Sequence, residues 1–234
     1  MKILVACEES QRVCLAFREK GHEAYSCDIE FCSGKRPEWH IWADVAPLLN
    51  GNCDFLTCNG QLHHIDKWDM IIAFPPCTYL SRAGGNSLVK NGEIDKERYE
   101  RGKQAAAFFM SIYNADCPRI CIENPVPMKI FGLPKQSQVV EPYYFGVPVS
   151  KTTFLWLKGL PYLCPTKVIK PQYTFNNFPL FKNSSGKYRQ RNRSKTFPEV
   201  AAAMVLSWGS LSAVNDRSRS TVAGTAVGNQ SQTT

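Results

Sequence analysis

The sequence predicts an α/β fold, a mostly parallel sheet with helices on both faces, and three observations predict it. Short apolar runs at residues 2–7 (KILVAC) and 69–74 (DMIIAF) read as buried strands. Helix-period segments at 11–20 and 95–113 lie between and after them. The strand-like runs end on acids, on prolines or on a cysteine, as strands do when they deliver residues to a sheet edge.

Taken in order, residues 2–7 open the chain as a strand. Ser10 is the expected N-cap of a helix over 11–20, whose apolar face is Val13, Leu15, Ala16 and Phe17, and Gly21 stops it. A second strand over 23–27 ends at Asp28, and a third element at 40–42 ends at Asp44. Between 50 and 67, Asn59-Gly60 separates CDFLTC from QLHHI and predicts a small β-hairpin insertion. Residues 69–74 run straight into Pro75-Pro76-Cys77. A long helix follows over 95–113, then a strand over 119–122 that ends at Glu123-Asn124-Pro125. Residues 210–234 are small and polar without periodicity and read as a disordered tail.

Composition narrows the function classes. The 234 residues are 44% hydrophobic and 21% charged, enough to build a core and too apolar for a disordered chain. No run of about 18 apolar residues exists, which excludes a membrane-spanning helix. The first residues turn acidic after position seven, too early for a secretory signal, so a cytoplasmic location with the ten cysteines reduced is expected. Cys53, Cys58, His63 and His64 have the chemistry of metal ligands. Adjacent histidines on a strand face opposite ways, however, and no Cys-x-x-Cys is present, so no metal is expected. The net charge of +8 is local: from Lys158 to Lys195 there are nine Lys or Arg and no acid, interleaved with Tyr162, Tyr173, Phe175, Phe178, Phe181 and Tyr188. Cations beside flat rings suit a phosphate backbone with bases to stack, so a nucleic acid is the expected partner.

In an open α/β sheet the ligand sits beyond the carboxyl ends of the strands. The unusual residues fall there: Cys7, Glu8 and Ser10 in the first loop, Asp28, Asp44, Pro75 to Thr78, and Glu123-Asn124. Two acids on neighbouring strand ends suit the hydroxyls and amino group of a nucleoside. A thiol and a carboxyl on adjoining strand ends can face one substrate, the acid holding a ring nitrogen while the thiolate adds to a ring carbon.

On these residues the chain resembles the DNA cytosine-5 methyltransferases, in the compact form found in phages and prophages. Phe74-Pro75-Pro76-Cys77 is similar to that family's Pro-Pro-Cys nucleophile loop, and Ile122-Glu123-Asn124-Pro125 to its Glu-Asn-Val motif. Phe145-Gly146-Val147-Pro148 resembles the Gly-Val-Pro that leads to a later strand, here 152–157. Thr196 to Ala201 resembles the motif that opens the closing helix. The resemblance spans residues 1–209 and implies a Rossmann-like class I methyltransferase domain. It implies S-adenosyl-L-methionine as methyl donor, bound by Cys7, Glu8, Ser10, Asp28 on the ribose, Asp44 on the adenine, and Pro75. It further implies Cys77 as nucleophile on cytosine C6 and Glu123 as the group on N3, with Asn124 and Lys151 beside them. The target base would be flipped out of a duplex or already single-stranded.

Three departures set this chain apart. Its first loop, Ala6-Cys7-Glu8-Glu9-Ser10-Gln11, has no glycine. After Gly-Val-Pro the family carries Gln-x-Arg-x-Arg, where this chain has Val149-Ser150-Lys151-Thr152-Thr153, a point charge rather than a planar fork. Finally, residues 158–195 stand where larger relatives insert a target recognition domain. Pro76, Thr78, Arg189, Arg191 and Arg193 are the expected contacts to substrate or nucleic acid, with short or loose sequence preference. Three readings follow: a cytosine-5 DNA methyltransferase, a relative acting on C5 of a free pyrimidine nucleotide or RNA base, and a catalytically silent nucleic-acid binder.

Overall fold

The computed structural model describes residues 1–182 and 186–212. In chain order the elements are β1 (Lys2–Ala6), α1 (Arg12–Glu19), β2 (Glu23–Asp28), β3 (His40–Trp42), β4 (Cys53–Leu56), β5 (Leu62–Ile65) and β6 (Met70–Ala73). The short β7 (Val89–Lys90) and β8 (Glu93–Ile94) precede α2 (Lys96–Tyr113), β9 (Ile120–Pro125) and β10 (Gln138–Val140). Then come β11 (Val149–Ser150), β12 (Thr153–Lys158), β13 (Tyr173–Thr174), α3 (Pro179–Lys182), α4 (Gly186–Ser194) and α5 (Pro198–Trp208).

Seven strands form the central sheet in the order β10-β12-β9-β6-β1-β2-β3. β3, β2, β1, β6 and β9 pair in parallel, while β12 runs antiparallel to both of its neighbours. From β1 the chain steps outward through β2 and β3, then returns to β6 on the other side of β1 and steps outward through β9. The strand order therefore reverses between β1 and β6, and the crevice of such a sheet opens beyond their carboxyl ends.

Alternate residues of one strand feed opposite cores. Leu4 and Ala6 join Phe109 and Ile112 of α2 on one face, while Ile3 and Val5 join Val13 and Phe17 of α1 and Met204 and Trp208 of α5 on the other. Three buried tryptophans each donate their ring N–H to a loop carbonyl: Trp68 to Leu48, Trp156 to Pro134 and Trp208 to Pro161. β4 and β5 pair antiparallel in a two-stranded ribbon, with Phe55 opposite His63. Its two histidines do face apart, His63 stacking on Phe55 and His64 bonding Asp54 and Asp66 at the surface. All ten cysteines are free thiols. Among the described residues no helix is long and apolar enough to cross a membrane. Of the tail expected over 210–234, residues 213–234 lie outside the described residues.

One expected cap is corrected. Ser10 does not cap α1: Gln11 holds the N-cap position in a left-handed conformation without a side-chain cap bond. The Glu8 carboxylate instead takes the first helical amides, from Val13 at 2.7 Å and Cys14 at 3.2 Å. A longer acidic side chain reaching back from a tight loop satisfies two orphan donors where a serine would satisfy one.

Candidate active site

β6 and β9 are adjacent and parallel, with Ala73 in register with Ile122. Beyond this point Phe74-Pro75 leave the sheet, while Glu123 and Asn124 continue beside them in β9, paired with β12. Asn124 is fully buried and its side-chain amide donates to the Pro75 carbonyl across 3.1 Å. Two prolines stiffen the chain beyond that point and remove two amide donors. Past them, Leu80 and Ser81 donate to the Cys77 carbonyl, and Arg82 and Met128 bond Val126 and Leu80 across the gap to the end of β9. The loop bearing the thiol and the strand end bearing the carboxyl form one bonded unit.

Cys77 is half-buried, and its thiol sits above the ordinary value because of burial and then the Glu123 charge, with Lys151 and Arg193 pulling the other way. The Lys151 ammonium lies 3.9 Å from a Glu123 carboxylate oxygen. Lys151 is fixed through its backbone: buried Glu141 accepts the Lys151 N–H at 2.7 Å and the Thr152 hydroxyl at 2.6 Å, and Thr153 donates back to the Lys151 carbonyl. A cleft opens beside this group, between Phe74 and Glu123 at the strand ends and Lys195 to Phe197 before α5.

The glycine-free first loop follows its own path. Cys7 and Gln11 take left-handed backbone (φ 58° and 59°), each a conformation that costs an L-residue about 1 kcal/mol or more. The close approach is made by the facing loop: a Cβ at Gly34 would meet the Gln11 Cβ at 2.6 Å and the Ser10 carbonyl oxygen at 2.8 Å. Gln11, fully buried, then reads both sides of the Arg36 backbone, donating to its carbonyl and accepting its N–H. Burial raises the Glu8 carboxyl to about 7 despite the bonds from Val13 and Cys14.

The predicted residues divide into groups. Cys77, Glu123, Lys151 and Arg193 form one group, since the charges of the last three act on the Cys77 thiol, and the Asn124–Pro75 bond ties the Cys77 loop to the strand end that carries Glu123. Pro76 and Thr78 are exposed on the same loop, and the Thr78 carbonyl accepts from Arg98. Cys7, Asp28 and Asp44 form a second group, since the charges of both acids act on the Cys7 thiol. Asp28 is half-buried, its carboxyl raised by that burial, and Asp44 is exposed. Glu8 and Ser10 are buried within the loop. Arg191 turns onto the protein, 3.1 Å from Glu9 and bonded to the Phe31 carbonyl, and the Arg189 side chain lies outside the described residues.

Sequence reasoning missed three contributors. Glu9 binds Arg191 and Lys195, and although burial opposes its ionisation, bonds from Arg191 and Ser33 and the Lys195 charge hold its carboxyl below the ordinary value. Glu141 organises the Lys151 turn. Phe31 and Trp42, exposed and packed edge to face at 5.7 Å, flank the two acids at the ends of β2 and β3. Only the last had a sequence signal, apolar rings next to strand-end acids.

No family model matches the chain, and no curated protein matches it. Among solved structures, a mutant of Spodoptera frugiperda DNMT2 aligns with it at a TM-score of 0.35 and 16% identity, over 72% of this chain and 54% of the other, so the chain spans about half of that protein's length.

Proposed function

We propose that this protein is an S-adenosyl-L-methionine-dependent methyltransferase acting on C5 of cytosine in DNA. The observation that carries the proposal is the pairing of the Cys77 thiol loop with the Glu123 strand end through the Asn124–Pro75 bond. Addition of the Cys77 thiolate to C6 pushes charge into the ring and makes C5 nucleophilic. Glu123 stabilises that charge by holding N3; C5 would then take the methyl group that the cofactor supplies, and loss of the C5 proton to solvent with expulsion of the Cys77 thiolate restores the ring. The cations Lys151 and Arg193 favour the thiolate that begins the sequence.

The nucleoside end of the cofactor fits the β2–β3 edge. Asp28 and Asp44 offer acceptors to a ribose and an adenine amino group, and Phe31 and Trp42 offer exposed rings beside them. The α1 amides are already taken by Glu8, so recognition rests on that edge rather than on the helix N-terminus. When bound, the cofactor supplies an electrophilic methyl group. In this reading residues 1–209 are the methyltransferase domain, 50–67 a hairpin insertion, and 158–195 a reduced recognition segment with loose sequence preference.

A second reading is favoured by one observation. Arg191 and Lys195 are bound to Glu9, and Lys158 donates to the Ala115 carbonyl, which leaves fewer cations for a phosphate backbone. A free pyrimidine nucleotide needs only one or two, Arg193 among them. Incubation with labelled S-adenosyl-L-methionine and, in parallel, duplex DNA, single-stranded DNA, RNA and dCMP separates the two. Label in cytosine of DNA is expected. Label on dCMP alone overturns the DNA assignment, and label on none overturns the enzyme.

A further inference from the structure

The structure brings to one ring two cations whose charges act on Cys77. The Lys151 ammonium lies 4.8 Å from the centroid of Phe175, and the Arg193 guanidinium 4.9 Å. Three separate pieces of chain meet here. β11 and β13 pair in parallel, Val149 with Tyr173 and Ser150 with Thr174, so the next residue on each strand is Lys151 or Phe175. Arg193 comes from the last turn of α4, where its guanidinium also donates to Asn176 at 2.8 Å. The ring is held from behind: Phe175 packs edge to face on buried Phe181 at 5.0 Å, Phe181 on Phe178, and Phe178 on Phe197 at the start of α5.

Two like charges near one thiol repel each other, and each sits on a long side chain with several free torsions. An aromatic face attracts both cations without neutralising either, whereas a carboxylate there would cancel the charge that Cys77 feels. Glu123 already contributes one negative charge, and it acts on Cys77 in the opposite sense to the cations.

We propose that Phe175 is a positioning residue, holding Lys151 and Arg193 where their charges favour the Cys77 thiolate for attack on the pyrimidine. This rests on Cys77 being the nucleophile. It also assigns the basic, aromatic segment a role inside the site: its ring and its arginine complete a cationic wall that the turn before β12 supplies only in part.

The test reads the thiol and needs neither cofactor nor nucleic acid. Iodoacetamide alkylation is followed across pH on the Cys77 peptide by mass spectrometry, in the full chain, with protection of fully buried Cys121 as the fold control. Phe175→Leu keeps apolar bulk and removes the π face, and the expected result is alkylation of Cys77 at pH 8 slowed by about threefold, with the profile moved to higher pH. Phe175→Tyr is expected to restore the wild-type profile. Replacing the ring with trifluorophenylalanine removes the negative face at almost constant shape, and is expected to slow Cys77 alkylation by the same factor, which keeps the test decisive if the leucine variant does not fold. Wild-type alkylation in the fluorinated protein overturns the proposal, whatever Lys151→Met and Arg193→Met do. Failure of methyl transfer alone leaves this result intact, so the two assignments fail separately.

Discussion

The side-chain amide of Asn124 donates to the carbonyl of Pro75 across 3.1 Å, inside the protein and away from solvent. One bond therefore ties the residue after Glu123 to the turn that presents Cys77. Asn124 positions the site and makes no contact with substrate in this account.

Removing that bond tests it. Asn124→Ala leaves the Pro75 carbonyl unpaired and is expected to cost about 1–2 kcal/mol of stability in urea titrations. Asn124→Asp is expected to cost more, because it loses the donor and buries a charge facing a carbonyl oxygen. Wild-type stability of Asn124→Ala would show that the bond is not made.

Glu8 gives a pH dependence with a defined sign. Its carboxyl titrates at about 7 in the folded protein and at the ordinary carboxylate value when unfolded. Between those values the folded state holds the extra proton, so this group's contribution is full at acidic pH and is lost as pH rises towards 7. The wild type should therefore lose about 2–3 kcal/mol relative to Glu8→Gln between pH 4.5 and 7. Chemical denaturation of both proteins across that range measures the difference, and parallel curves would contradict the assignment.

Gly34 supplies the close approach that the first loop lacks. Gly34→Ala places a methyl group against the Ser10 carbonyl and the Gln11 side chain, which must shift. A loss of about 1–3 kcal/mol is expected, together with weaker binding of S-adenosyl-L-methionine by calorimetry, since the loop follows β1 at the carboxyl edge of the sheet.

Glu9 restrains two cations of the basic segment. Glu9→Gln should free Arg191 and Lys195, tighten binding to a labelled oligonucleotide and steepen its salt dependence by roughly one to two units of log–log slope. Fluorescence anisotropy at several salt concentrations reads this directly. An unchanged slope would mean that neither cation reaches a phosphate.

The sheet and the helices α1 and α2 were legible because buried parallel strands are continuous apolar runs and both helices follow a helical period in the sequence. Cys77 and Glu123 were legible because each follows such a run directly, so the strand order alone brings them close. Long-range contacts through loops were not. Nothing local marks Glu9 as the partner of Arg191, 182 residues away, or Glu141 as the acceptor for the Lys151 turn. The aromatics of the basic segment read as stacking platforms for bases. Phe175 instead packs inward, because a two-residue ladder with β11 sets it beside Lys151. Glu8 misled for a related reason: an acid before a helix reads as ligand-facing until the loop is seen to fold it back onto its own amides.

The covalent step is the centre of this account, and trapping it is the most direct measurement. In DNA carrying 5-fluorocytosine the ring cannot lose a proton from C5 after methyl transfer, so the Cys77–C6 bond persists. With S-adenosyl-L-methionine present, a protein–DNA adduct that survives denaturation is expected for the wild type and absent for Cys77→Ser, with the modified peptide containing Cys77. An adduct or methylated cytosine formed equally well by Cys77→Ser would contradict the account.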